Sequence, residues 1–190
     1  VNDNHENCTC HARAPARLPL RFFPDSVLDQ GCSEVSEITE EVCQLAKDML
    51  LTMMLEGGVG LAAPQVGKLL RLFVVDVDWV RGTKHSNPLV FINPVLEGTG
   101  KQTSEEGCLS FPGALARTER FQTIRVSFLD LDGSKQSLEA EGRLAIAIQH
   151  EADHLEGKTI RPFLSSYTMG KVTKNIKSAL RERKRESRKP

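Results

Sequence analysis

The sequence predicts an α+β domain, and three observations carry that prediction. A helical apolar period between 36 and 55 is followed by a block of short β-branched runs between 72 and 140. Two further helical stretches then close the chain. Strands and helices are thus segregated along the sequence rather than alternating, which favours antiparallel over parallel β structure. At 190 residues the chain fits one domain, long enough to build a core without disulfide staples.

The first helix is expected from about Ser36 to Leu55. Ser36 or Thr39 can cap it, and Glu37, Glu40 and Glu41 suit the positive end of the helix dipole. Ile38, Val42, Leu45, Met49 and Met53 recur at three- and four-residue spacing, and Gly57-Gly58 ends the helix. Met49, Met53 and Met54 read as core packing rather than as a soft binding surface.

Leu72–Val77 and Val90–Val95 are short apolar runs with strand character. Thr123–Leu131 alternates, with Ile124, Val126 and Phe128 on one face, and Asp132-Gly133 turns it into Lys135–Ala140. Gly142 closes that strand and a second helix runs from Leu144 to Leu155. A third starts near Ser166, with Met169, Val172, Ile176 and Leu180 as its apolar stripe.

Residues 1–17 are polar and without period, and are expected to be poorly ordered; 18–165 are expected to form the main domain, and 166–190 a basic C-terminal helix and tail. The first twenty residues lack an apolar signal segment, and no apolar run nears the ~20 residues of a membrane helix. Lys+Arg and Asp+Glu are equal at 25 each, so the molecule as a whole has no field for DNA. From Lys171 onward, however, there are nine Lys or Arg and two acids. Five cysteines follow no framework spacing and read as free thiols in a reducing compartment. Cys8-Thr-Cys-His11 reads as part of the N-terminal segment rather than as a metal site.

The sharpest signal is Gln149-His-Glu-Ala-Asp-His-Leu155. His150 and His154 lie one helical turn apart on one face, where they can share a metal, with Glu151 beside the first. Against this stands a surface helix with two histidines; the apolar Ile146, Ile148 and Leu155 argue for burial instead, and buried histidines need partners. A catalytic site needs a third protein ligand and one open position. Downstream there are acids, Glu156 among them, but no further His. Upstream, Glu106-Gly-Cys-Leu-Ser110 offers Cys108, although a lone loop Cys is more often a bystander. Gly58-Val-Gly-Leu-Ala-Ala-Pro-Gln65 permits close backbone approach and ends in a neutral amide donor, and no GK[ST] follows to make a phosphate loop.

In this order and at these separations, GVGLAAPQ, EGCLS and QHEADHL resemble the three signature motifs of the peptide deformylase family, over about residues 20–180. The resemblance implies antiparallel β structure around a central HExxH helix. It implies a hydrolase that removes the N-formyl group from formyl-methionine of nascent polypeptides and releases formate. Cys108, His150 and His154 are then the metal ligands, for Fe2+, with Zn2+, Ni2+ or Co2+ as substitutes. Glu151 is then the proton carrier, and Gln65 with the backbone N–H of Leu109 stabilises the oxyanion. Gly60, Val59, Gly107, Ile146 and Arg143 are then expected to meet the substrate.

Two positions depart from the family pattern. Leu115 stands where an Arg is frequent, with Arg117 two residues on, and Arg143 stands where an apolar or aromatic residue is usual. Arg143 either alters entry to the methionine pocket or compensates for the missing Arg, or it merely reaches solvent. The basic C-terminal helix either packs as an amphipathic helix or also docks on ribosomal RNA near the polypeptide exit. The expected state is a monomer in the bacterial cytoplasm, with an organelle matrix as the alternative. A zincin endopeptidase shares HExxH but lacks EGCLS and GVGLAAPQ. A catalytically dead homologue would not keep all three ligands with Glu151 and Gln65.

Overall fold

The computed structural model describes residues 13–80 and 85–186. Helix α1 (Glu40–Glu56) precedes strands β1 (Gly60–Ala62), β2 (Leu72–Val75) and β3 (Leu89–Thr99). Strands β4 (Gln102–Glu106), β5 (Ala116–Arg120), β6 (Thr123–Leu129) and β7 (Lys135–Glu141) follow, then helices α2 (Gly142–Leu155) and α3 (Ser166–Glu186). Every strand pairing is antiparallel. One sheet has the order β1-β2-β3-β6-β7, and β4 pairs with β5 in a second. This is the α+β arrangement the sequence predicts. No helix among the described residues is long and apolar enough to cross a membrane.

The sheet separates two cores. In β2 all four residues are buried because both faces are covered. Leu72 and Val74 point to the core that holds Ala46, Met49 and Met53 of α1. Phe73 and Val75 point to the core that holds Ala145, Ile148 and Leu155 of α2. This opposite placement follows from the two-residue period of a strand. On the α2 side Phe91 stacks on Phe73, with centroids 4.7 Å apart, and meets Phe128 at a tilt, 4.4 Å away. Strand β6 is covered on one face only: Ile124 and Val126 are buried while Thr123, Arg125 and Ser127 are exposed.

Helix α1 starts four residues later than expected. Thr39 is its N-cap, so Ser36 and Glu37 lie outside it. Gly57 ends it with φ 74°, its N–H donating to Met53 O and Met54 O, a left-handed turn that suits glycine. Strand β3 outruns its apolar core by continuing to Thr99, across a bulge between Ile92 and Val95. Asn93 sits in that bulge at φ 50°. Its amide donates to Val35 O and its carbonyl accepts from Val35 N, fastening the segment before α1 to the sheet.

Strands β4 and β5 have no counterpart in the sequence pattern. Their sequences, QTSEE and ARTER, have no apolar alternation; only Glu106, Ala116 and Thr118 are buried. Residues 13–17, assigned to the poorly ordered segment, carry no helix or strand and run across α1. Arg13 pairs with Asp48, Ala16 N donates to Asp48, and Arg17 pairs with Glu56. Residues 1–12, including Cys8, Cys10 and His11, lie outside the described residues. In α3, Val172 and Ile176 are buried as expected, but Leu180 is 51% exposed. Ala179 takes its place against the core, three residues after Ile176 rather than four. Arg183 continues this side, its guanidinium over the Phe22 ring and paired with Glu56.

Candidate metal centre and active site

Helix α2 is buried on two sides, which makes it central. One side packs on the sheet, while Gln149, His150, Glu151 and His154 are buried on others. The i, i+4 spacing brings the His150 and His154 rings to 5.1 Å between centroids, edge to face. The loop between β4 and β5 carries Cys108 to them. Its Sγ lies 3.3 Å from His154 Nε2. The ligand atoms of Cys108, His150 and His154 all lie within 4.8 Å of one another, and all three residues are buried. One soft thiolate and two imidazoles converging at this distance fit a tetrahedral transition-metal site with one position left over.

The imidazoles are oriented by their surroundings. His150 Nδ1 donates to Glu106 Oε2 at 3.0 Å, which leaves Nε2 for the centre. Glu106 also accepts two bonds from Arg120, each 2.8 Å, and one from Thr118. Burial opposes its charge, but the bonds from Arg120, His150 and Thr118 outweigh burial and hold its carboxyl at about 2. Arg120 reaches on to Asp153 at 2.6 Å, tying β5 to the ligand helix. The two imidazoles differ in character. Burial works against charging both, but bonds to Cys108 and Glu106 carry His150 well above the usual histidine range. Burial and the neighbouring His150 hold His154 well below it.

Glu151 is buried, and its Oε2 has no hydrogen-bond partner among the described residues. Burial is the main cause that pushes its pKa up to about 7, so the group can hold or release a proton near neutrality. Gln65 is fixed from the other side: its Oε1 accepts from Ala62 N at 2.8 Å. Its Nε2 is thereby aimed at Ser110 Oγ, 3.2 Å away, and at Cys108 Sγ, 3.5 Å away.

A cleft of about 410 Å³ opens onto this cluster. Cys108, His150, Glu151, Gln65 and Leu109 line it, and so do Val59, Gly60, Gly107, Ile146 and Arg143. Of the expected metal, catalytic and substrate residues, His154 alone does not line it and lies against Cys108. Leu115 is 63% exposed on the loop after Pro112, and Arg117 lies on β5 opposite Glu105.

The family model for polypeptide deformylase matches residues 18–167. The chain belongs to that family. It is 44% identical over 163 residues to the peptide deformylase of Endomicrobium trichonymphae, covering 85% of this chain and 95% of the relative. It is 49% identical over 139 residues to peptide deformylase 1 of Clostridium perfringens, covering 73% and 91%. The crystal structure of a peptide deformylase from Legionella pneumophila superposes with a TM-score of 0.77 at 35% identity, over 92% of this chain and all of that one. The activity of this chain is therefore that of a metal-dependent hydrolase, removing the N-formyl group from formyl-methionine of nascent polypeptides.

Glu106, Thr118, Arg120 and Asp153 form one unit that no sequence pattern marks as such. Glu106 stands inside EGCLS and Asp153 inside HEADH, so each was within a motif. Nothing local marks Arg120, which joins them from β5.

Proposed function

We propose that Cys108, His150 and His154 hold a ferrous ion, and that Glu151 and Gln65 act on the formyl group beside it. The observation that carries this reading is the convergence of three ligand atoms within 4.8 Å in the cleft where Glu151 Oε2 is unpartnered. The bound metal would supply Lewis acidity and an activated water. Glu151 takes the proton released at attack and returns it to the departing amine nitrogen. The Gln65 amide and the Leu109 backbone N–H donate to the carbonyl oxygen as charge grows there. Burial keeps bulk water from competing with these donors.

The substrate backbone runs along the start of β1, at Gly60 and the preceding Val59. Strand β1 is an edge of its sheet, which suits addition of an extended peptide. Val59 and Ile146 wall the methionine pocket, Gly107 leaves room for the chain, and Arg143 stands at its rim. The exposed lysines of α3, Lys171, Lys174 and Lys177, face away from its buried stripe and contact ribosomal RNA. The enzyme works as a monomer in the bacterial cytoplasm, where ribosomes supply its substrate.

The deciding experiment is formate release from formyl-Met-Ala-Ser by anaerobic, iron-loaded protein beside Glu151→Ala of equal metal content. Activity in the first and loss in the second is the expected result. Equal rates would remove Glu151 from its role. Ribosome co-sedimentation that weakens with salt tests the α3 contact, and its absence at low salt would exclude it.

A further inference from the structure

The rim of the cleft does not match its walls. Val59, Val77, Ile146 and Ala147 are apolar, whereas Ser104, Glu105 and Arg143 are not. Arg143, Ile146, Ala147 and His150 follow one another at i, i+3, i+4 and i+7, so one face of α2 runs from the ligand His150 to Arg143. That interval is two turns, about 10 Å. A linear side chain lying along this face away from His150 ends at Arg143. Arg143 has no hydrogen bond or ion pair among the described residues, and it does not pair with Glu105 across the rim. An exposed guanidinium with no protein partner among the described residues therefore stands at the mouth of an apolar slot.

A thioether has little use for such donors. The reaction fixes the first residue as formyl-methionine, and that residue gains a strong acceptor at its tip by oxidation of its sulfur. We propose that the cleft also accepts peptides whose formylated first residue is methionine sulfoxide, with Arg143 donating to the sulfoxide oxygen. This rests on the assignment of the cleft as the methionine pocket. Ser104 of β4, which also lines the cleft, carries a further hydroxyl donor. Without Arg143 the sulfoxide oxygen would meet only water at the open rim, which weakens binding by about tenfold, the loss of one charge-assisted bond. With it, oxidised initiator methionine remains a substrate and the hydrolysis itself is unchanged.

The test compares formyl-Met-Ala-Ser with each separated sulfoxide epimer of the same peptide. At least one epimer is expected within about tenfold of the thioether in kcat/KM, because one S=O direction meets the guanidinium. Arg143→Leu should lower the sulfoxide-to-thioether ratio by about tenfold or more, the loss of one charge-assisted bond, and Arg143→Lys should restore most of it. Calorimetric binding of the epimer in a Glu151→Ala background should weaken likewise on adding Arg143→Leu. Formate from the thioether peptide alone, or an unchanged ratio in Arg143→Leu, overturns the proposal. Formate from neither peptide would sink the reading of the cleft, and the proposal with it.

Discussion

Gly60 lies directly against Glu151. A Cβ at position 60 would come within 2.3 Å of Glu151 Oε1 and 2.8 Å of its Cδ. The glycine is therefore needed for space, because the closest atoms belong to a carboxylate that is itself buried. Gly60→Ala should push that carboxylate aside while leaving the three ligands in place. A misplacement of about 1 Å costs on the order of 100-fold in rate. The expected result is that loss in kcat at unchanged metal content. Native kcat in the variant would mean that Glu151 has freedom the packing denies it.

Glu106→Gln probes the support of the centre. The substitution keeps the shape but removes the charge that accepts from His150 and Arg120. Loss of a partner of this kind costs about 10- to 100-fold in metal affinity. Competition with a chelator should show that loss, with the circular-dichroism spectrum unchanged. Equal retention of metal by variant and native protein would show that His150 is oriented without Glu106.

The contrast between these two residues explains what could be read from the sequence. His150, Glu151 and His154 share a helix, and a local period of 3.6 reveals them. Cys108 lies in a loop and Gln65 in a short 3-10 turn, and both were legible only as members of motifs. Arg120 meets Glu106 from 14 residues away and Asp153 from 33, and no local pattern encodes such a contact. The same holds for the fold. Strand β2 is apolar because both its faces are covered, so it is visible. Strands β4 and β5 are mostly polar because their role is to carry the Cys108 loop, and QTSEE resembles a loop. Leu180 and Ala179 differ by one helical position, about 100° of rotation, finer than a three-or-four-residue stripe resolves.

Asp48 should give a pH-dependent stability. It is buried in α1 and accepts from Ala16 N, Gln44 and Arg13. Burial raises its pKa, but these bonds together with the Arg13 charge win and hold the carboxyl below the usual range. A group with a depressed folded pKa stabilises the fold above its unfolded value, about 3.9, and loses that contribution as pH falls through the folded value. Asp48→Asn should therefore be less stable at pH 7 by about 1.5 to 3 kcal/mol, the worth of a bond to a charged group. The gap should close progressively below pH of about 4. Urea titrations of both proteins across this range provide the check, and a gap independent of pH would assign the loss to shape rather than charge.

Two substitutions in α3 separate its packed side from its free side. Ile176 is 7% exposed and sits in the core with Phe111 and Val172, whereas Leu180 is half exposed. Truncating a buried isoleucine removes transfer energy and leaves a cavity, together about 2 to 5 kcal/mol. Truncating an exposed leucine changes stability by about 0.5 kcal/mol or less. Ile176→Ala should accordingly lower the urea midpoint markedly and Leu180→Ala hardly at all. The two losses would be similar if Leu180 belonged to the apolar stripe, as its spacing from Ile176 suggests. Ala179 and Arg183 occupy that side instead, and Arg183 links the helix to Glu56 at the end of α1. Loss of Ile176 should therefore loosen the α3 end of that link. The Arg183–Glu56 contact borders the Cys108 loop in a shared groove with Leu109 and Leu115. A fall in deformylation rate in Ile176→Ala, absent in Leu180→Ala, would show that the packing of α3 reaches the active site.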